Sequence, residues 1–269
     1  RTLMAISGFI KKTLGVIPER AFFGSILEKA SLSSIRICIS GGGPLDPKVF
    51  RQYNQLGIDF VQGYGLTETS PILTLNPVEH YKETSVGKVL PEVEMIIDNP
   101  NEDGIGEIVV RGPMVMQGYY KMPEETAEVL SPDGWLRTGD VGKLDDENYL
   151  YLAGRIKNVI VTEGGKNVYP EEIENEFQLY DEIDQILVRG YIPEGKTVAE
   201  EIESLIYPNQ DWISQNHLSP EQVEERIHDI VTEVNQRLRS YEKITRIHIL
   251  KEPLEMTTTQ KLKRHIAKG

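Results

Sequence analysis

The stretch SIRICISGGGPLDPKVFRQYNQLGIDFVQGYGLTETSP, residues 34–71, sets the architecture of the first half of the chain. The apolar run Ser34 to Ser40 reads as a buried strand ending at the glycine turn Gly41, Gly42 and Gly43. Pro47 opens a short helix that Gly57 closes, and Ile58 to Gly65 reads as the next strand. Strand, glycine turn, helix and strand in that order is an α/β rhythm. At its end Tyr64 stands between two glycines and is followed by Thr67, Glu68 and Thr69. In isolation this is an ordinary strand-to-loop exit, with glycines supplying unusual dihedrals and hydroxyls satisfying local backbone groups.

Upstream, residues 1–30 carry apolar side chains at mixed three- and four-residue spacing, which reads as helix. Downstream of about Ser85 the texture changes to short strands and turns. VEMIIDN (93–99), GEIVVRG (106–112) and GKLDDENYLYLAGR (142–155) follow one another, the last a hairpin turning at DDEN. A boundary is expected at Arg155 to Asn158, dividing the chain into residues 1–154 and 155–269. Beyond it NVIVT (158–162) reads as a strand, PEEIENEFQLY (170–180) as a helix opened by Pro170, and IDQILVRGYI (183–192) as a strand. The polar, weakly periodic stretch 194–218 reads as a surface excursion. Ser219, Pro220 and Gln222 form an N-cap and capping box for a helix whose apolar stripe is Val223, Ile227, Ile230, Val231, Val234 and Leu238. KITRIHIL (243–250) closes an α+β pattern of ordinary domain size.

The bulk numbers bound the function. The chain has 269 residues, 39% hydrophobic and 26% charged, which is globular in composition. Its net charge of −13 offers no basic excess to meet phosphate, which argues against a general nucleic-acid or anionic-membrane binder. The single cysteine, Cys38, has no intramolecular partner and sits in an apolar run, so it reads as a buried structural thiol in a reducing compartment; the expected location is cytoplasmic. The five histidines pair with no Cys or acidic residue at metal-ligand spacing, and no Gly-x-Ser-x-Gly elbow is present.

Four segments in order, GGGPLDP (41–47), GYGLTETSP (63–71), GWLRTGD (134–140) and GRIKNVIVTEGGKNVYPEEIE (154–174), resemble the adenylate-forming superfamily of acyl-CoA synthetases, adenylation domains and luciferases. Within it the chain is most similar to bacterial long-chain fatty acid–CoA ligases. The resemblance implies a mixed α/β and α+β fold: part of a large nucleotide- and acyl-binding domain, then a compact, mobile α+β domain. It also implies a reaction in which ATP activates a carboxylate as an acyl-adenylate, releasing pyrophosphate, before the acyl group passes to CoA. Two anions must then be pressed together, so charge neutralisation and alignment carry the catalysis.

Residue by residue, the resemblance implies that Tyr64 stacks adenine, which Gly41, Gly42 and Gly43 line, although an aromatic there is otherwise most often part of a core. Thr67 would hydrogen-bond phosphate and Glu68 would hold Mg²⁺, a hard cation that needs few carboxylates when phosphate oxygens share it. Asp140 would accept from both ribose hydroxyls, and Arg155 would make a second ribose or phosphate contact. Lys157 occupies the hinge position, about which the small domain swings between half-reactions. Gly164 and Gly165 would leave room for the pantetheine arm of CoA. In MTTTQKLKRH the match makes Lys261 catalytic, with Lys263 the fallback because Gln260 stands where many members have glycine.

One departure from the family pattern is large. The Ser/Thr/Gly-rich phosphate loop with its own lysine, expected before the adenine segment, is not in this sequence. The resemblance then implies a C-terminal portion of a larger ligase, inactive in adenylation by itself. A peripheral membrane contact through the remaining half and the oligomeric state stay open. An enzyme loading an acyl carrier protein is a close alternative, since both acceptors end in pantetheine; a non-catalytic nucleotide-binding module is a third reading.

Overall fold

The structure is a computed structural model that describes residues 19–193, 195, 201–257 and 262–264. The helical reading of residues 1–18 lies outside them. The chain divides into two compact units, Arg1–Leu152 and Ala153–Gly269.

In the first unit, helix α1 (Glu19–Lys29) precedes strand β1 (Cys38–Ser40), helix α2 (Pro47–Gln55) and strand β2 (Phe60–Gly65). The Asp46 carboxylate caps α2 by accepting from the Lys48 amide at 2.6 Å, and Gly57 ends it at φ 83°. β1 and β2 pair in parallel with Cys38 opposite Phe60 and Ser40 opposite Gln62, so α2 is the crossover of a β–α–β unit. Phe50 of α2 packs with Leu27, Ile58 and Phe60 and meets the Phe60 ring edge-on at 5.9 Å. The strand read across Ser34 to Ser40 is shorter and less buried than its composition suggests. Among the described residues β1 lies at the edge of its sheet, Ile37 and Ile39 are 45% and 53% exposed, and Cys38 is half-buried, not buried. An apolar run encodes strand propensity, but whether its faces are covered depends on what packs there.

Strands β3 (Ile72–Leu75) and β4 (Lys88–Val89) extend this sheet in the order β1-β2-β3-β4. A second sheet, β5-β6-β7-β8, is made from β5 (Glu94–Asp98), β6 (Gly106–Arg111), β7 (Leu136–Leu144) and β8 (Leu150–Arg155), with helix α3 (Pro123–Val129) between β6 and β7. Tyr64, Leu73, Ile108, Val110, Leu136 and Leu150 form one core between these strands. The DDEN turn is set by Asp145, whose carboxylate accepts from the amides of Glu147 and Tyr149, both at 3.0 Å.

In the second unit a two-residue hairpin, β9 (Ile160–Val161) with β10 (Asn167–Val168), leads to helix α4 (Pro170–Asn175). The main sheet has the order β11-β12-β13, from β11 (Ile183–Tyr191), β12 (Glu201–Pro208) and β13 (Ile244–Ile249). Helices α5 (Gln210–Asn216) and α6 (Pro220–Arg237) lie between β12 and β13 in sequence. The capping box forms as the sequence requires: the Ser219 amide donates to Gln222 Oε1 at 2.9 Å and the Gln222 amide to Ser219 Oγ at 3.4 Å. Val223, Ile227, Ile230, Val231 and Val234 bury against Val188, Ile202, Ile206 and Phe177.

The surface excursion read at 194–218 is a correction. Its middle is β12, the central strand, with Ile202, Leu205 and Ile206 buried. Glu201, Glu203 and Ser204 disguise it as polar. Glu203, 3% exposed, is buried at no great cost because Arg189 lies at 2.7 Å, His248 at 3.0 Å and Arg246 at 3.7 Å.

Glu174 of α4 is a second buried carboxylate. It accepts from the Val188 amide at 2.7 Å and from the guanidinium of Arg264. Burial pushes its pKa up from 4.5 to about 7, against the downward pull of Arg264 and the Val188 amide and with a further upward push from Glu171. The native state therefore keeps this proton at pH values where the unfolded chain releases it. The contribution is fully present below about 4.5 and is lost as pH rises to about 7, on the order of 3 kcal/mol. Denaturant midpoints of the second unit between pH 4.5 and 7.5 should fall with pH in the unsubstituted chain. Glu174→Gln should remove that slope; an unchanged slope would count against Glu174 as its source.

Candidate functional site

Parallel strands deliver their exits to one sheet edge, and ligands in α/β sheets bind outside the carboxyl ends of the strands. Here those exits are the glycine turn after β1 and the turn Leu66–Ser70 after β2. Gly41, Gly42 and Gly43 are exposed, Gly42 at φ 84°. A Cβ on Gly41 would lie 3.3 Å from the Gly63 carbonyl oxygen, so the glycine turn starts against β2 itself.

The glycines flanking Tyr64 have a reason inside the chain. A Cβ on Gly63 would stand 2.9 Å from the Thr74 carbonyl oxygen, and one on Gly65 1.8 Å from that of Pro71. The close backbone approach is made by β3, which pairs antiparallel with β2. The Tyr64 ring sits in the core at 8% exposure, and its hydroxyl donates to Asp140 Oδ2 at 2.8 Å. Asp140 lies on β7, where Thr138 Oγ1 accepts from the Asp140 amide at 3.1 Å and donates to the Ile108 carbonyl at 2.7 Å. One hydrogen bond thus joins the first sheet to the second at the two residues that the adenine and ribose readings singled out.

Thr67 is exposed and Glu68 half-buried on a 3-10 turn, Thr67–Thr69. Glu68 Oε1 accepts the Tyr119 hydroxyl at 3.0 Å, and the Glu68 carbonyl accepts the Met116 amide at 2.8 Å. An ionised carboxylate has about four acceptor sites, so one phenol donor leaves capacity for a hard cation. Among the described residues no three His, Cys, Asp or Glu group as a metal cluster. Tyr119 escaped the sequence reading, whereas Thr69 satisfies local backbone groups as that reading expected of these hydroxyls. Thr69 is buried, and its Oγ1 donates to the Pro71 carbonyl at 2.7 Å and accepts from the Leu66 amide at 3.1 Å, closing the turn. The signal for Tyr119 was its place in the tyrosine pair of QGYYK.

The remaining candidates belong to the second unit. Arg155 ends β8 and Lys157 lies on the 3-10 turn Ile156–Asn158, both exposed. Gly164 and Gly165 are in the exposed β9–β10 loop, which closes through the Gly165 amide on the Thr162 carbonyl at 2.8 Å. A Cβ at either meets nothing within 4 Å; Gly165 is held to glycine by its φ of 68°. Beside this loop is a cavity of about 430 Å³ bordered by Lys166, Lys243, Glu163, Glu201 and Tyr241. Lys263 pairs with Glu255 at 3.3 Å, and Lys261 lies outside the described residues.

Residues 8–120 match the AMP-binding enzyme family model. The long-chain-fatty-acid–CoA ligase of Bacillus subtilis is 39% identical over 183 residues, 64% of this chain and 32% of that protein. The 2-succinylbenzoate–CoA ligase of Oceanobacillus iheyensis is 34% identical over 252 residues, 87% of this chain and 46% of that protein. The o-succinylbenzoate CoA synthetase of Bacillus subtilis, solved with its acyl-adenylate intermediate, superposes with a TM-score of 0.74 at 28% identity, covering 93% of this chain and 50% of that one. The fold is that of the adenylate-forming enzymes, and the chain spans about a third to a half the length of the relatives it matches.

Two substitutions test the local construction by chemical denaturation. Gly65→Ala should cost more than about 3 kcal/mol, because the added carbon meets backbone that cannot step aside. Tyr64→Phe should cost about 1.5 kcal/mol through the lost bond to Asp140. Near-wild-type stability of Gly65→Ala would show that the β2–β3 packing yields more than the geometry allows.

Proposed function

We propose that the chain supplies the nucleotide seat and the small α+β domain of an acid–CoA ligase that activates a carboxylic acid as its adenylate and transfers the acyl group to CoA. The observation that carries this reading is the Tyr64–Asp140 hydrogen bond at the shared edge of the β1 and β2 exits, in a chain matched by the AMP-binding family. The glycine turn offers bare backbone to a base and Asp140 an acceptor to ribose hydroxyls. Thr67 offers a hydroxyl to phosphate. Glu68, steadied by Tyr119, would hold Mg²⁺, which supplies charge neutralisation between the reacting anions. Lys261 would bridge carboxylate and α-phosphate as charge builds in the transition state.

For the second half-reaction, the loop of Gly164 and Gly165 would admit pantetheine. The adjoining cavity carries two lysines for the phosphates of CoA, although Glu163 and Glu201 share its rim. A long-chain fatty acid is the first substrate to try, on the likeness to the fatty-acid ligase; 2-succinylbenzoate is the second, because that ligase aligns over more of this chain.

AMP titrated into the chain by calorimetry should bind about tenfold more weakly to Asp140→Ala, the loss of charge-assisted bonds to ribose. Equal affinity would refute the seat. The 269-residue chain alone should show no acid-dependent pyrophosphate exchange, since it lacks a phosphate loop. In the full-length protein carrying it, Lys261→Ala should slow adenylation on the order of 100-fold and spare thioester formation from supplied acyl-adenylate. AMP formed with a carrier protein but not with CoA would move the assignment to a carrier-loading enzyme.

A further inference from the structure

One carboxylate oxygen in the second unit is buried where nothing donates to it. Glu171 sits in the first turn of α4, and its Oε2 is shut off from solvent with no hydrogen-bond partner among the described residues. The other oxygen explains why the group stays there. Oε1 accepts from Asn158 Nδ2 at 2.5 Å and lies 3.6 Å from the guanidinium of Arg264, so the carboxylate cannot swing its orphaned oxygen out to water without giving up both. Arg264 is itself anchored, donating to Glu174 and to the Val188 carbonyl at 3.0 Å.

What covers Oε2 is the chain at Gly154. A Cβ there would collide with that oxygen, and would stand 3.4 Å from Tyr169 Cβ, an ordinary contact. Gly154 is next to the last residue of β8, and Asn158 ends the 3-10 turn Ile156–Asn158, so one side chain meets the backbone on both sides of the exposed residues 155–157. The division between the units falls just before, between Leu152 and Ala153, and the chain crosses it once. Two compact bodies joined by one covalent connection move relative to one another unless a large apolar interface forbids it, and a few residues of the connection absorb the change.

We infer that Glu171 is a wedge in this connection: its pinned, donorless oxygen under Gly154 favours opening of the turn at residues 155–157, and with it reorientation of the second unit. Asn158 lies beyond these residues and keeps its bond to Glu171 when they rotate, whereas Gly154 lies before them and leaves α4. Its departure returns Oε2 to water. Burying an ionised oxygen without a donor is worth on the order of tenfold or more in an equilibrium, so the closed turn is poised to open. The inference rests on the division into two units and not on the proposed function.

A wedge and a brace give opposite signs in the 269-residue chain. Trypsin cleavage of the Arg155–Ile156 bond, referred to a peptide of the same sequence, reads the open population when opening is fast compared with cleavage. Glu171→Ala should slow it about tenfold. Asn158→Ala should slow it too, because the freed carboxylate can turn Oε2 to water. Gly154→Ala should speed it severalfold in the unsubstituted chain and change nothing in Glu171→Ala, where the colliding oxygen is gone. By backbone amide NMR relaxation, the rotational correlation time of the second unit should move towards that of the first in Glu171→Ala. Glu176→Gln, which removes the pair with Arg237 at the other end of α4, should behave as the unsubstituted chain.

Faster cleavage in Glu171→Ala would make Glu171 a brace and overturn the inference, and so would an unchanged rate. Slower cleavage with the two correlation times as far apart as before would confine the effect to the turn and overturn it as a device between units. Should Glu171→Ala lose amide-exchange protection throughout α6, it has unfolded, and Asn158→Ala carries the test with the same supporting and overturning signs. A chain that binds no AMP would remove the proposed function and leave each of these outcomes with its meaning.

Discussion

Two parallel strands cannot be joined by a tight turn, and this constraint arranges the first unit. The chain must cross over through α2 before β2 can pair with β1, so both strands point the same way and release their loops at one edge. The glycine turn and the Thr-Glu-Thr turn leave from that edge although about twenty residues separate them in sequence. β2 then folds back on β3 so closely that Gly63 and Gly65 admit no side chain, which fixes the direction of Tyr64. From that fixed position its hydroxyl reaches Asp140 on the other sheet.

The second unit depends on a different economy, that of charges withdrawn from water. Glu203 on the central strand and Glu174 on α4 are tolerated because guanidinium groups and a backbone amide meet them. Such pairs add little net stability when compared with apolar packing, but removing one partner leaves an uncompensated buried charge. They therefore specify where elements join. Glu203 pins β11 and β13 across β12, and Glu174 with Glu171 gathers the 3-10 turn after β8, the amide of Val188 and the last described residues onto one short helix. The two ligases compared with this chain differ in the acid they are named for and share CoA in their names.

Much of this was legible before folding. The capping box and the apolar stripe of α6 are local and periodic, and the structure repeats them except at Leu238, which caps the helix end in extended geometry and is only partly buried. The β–α–β unit and the DDEN hairpin follow from turn chemistry. β12 was not legible, because a central strand that buries a glutamate and a serine looks polar until Arg189, Arg246 and His248 are brought to it from other strands. Cys38 was misjudged for the converse reason: its run is apolar, but β1 is an edge strand and part of it faces outward. Tyr119 did not stand out, since it matters through one hydroxyl aimed at Glu68, a partner that folding supplies.

The order of residues alone determined the periods, caps and turns, and through the four motifs the resemblance to a family, because these are properties of neighbours within a few positions along the chain. Tertiary structure decided which groups meet. The phenol of Tyr64 and the carboxylate of Asp140, the carboxylate of Glu68 and the phenol of Tyr119, and Arg264 with the acids of α4 are all far apart in sequence. A hydrogen bond acts over about 3 Å, and separation in sequence says nothing about distance in space until the strands have paired and the helices have packed.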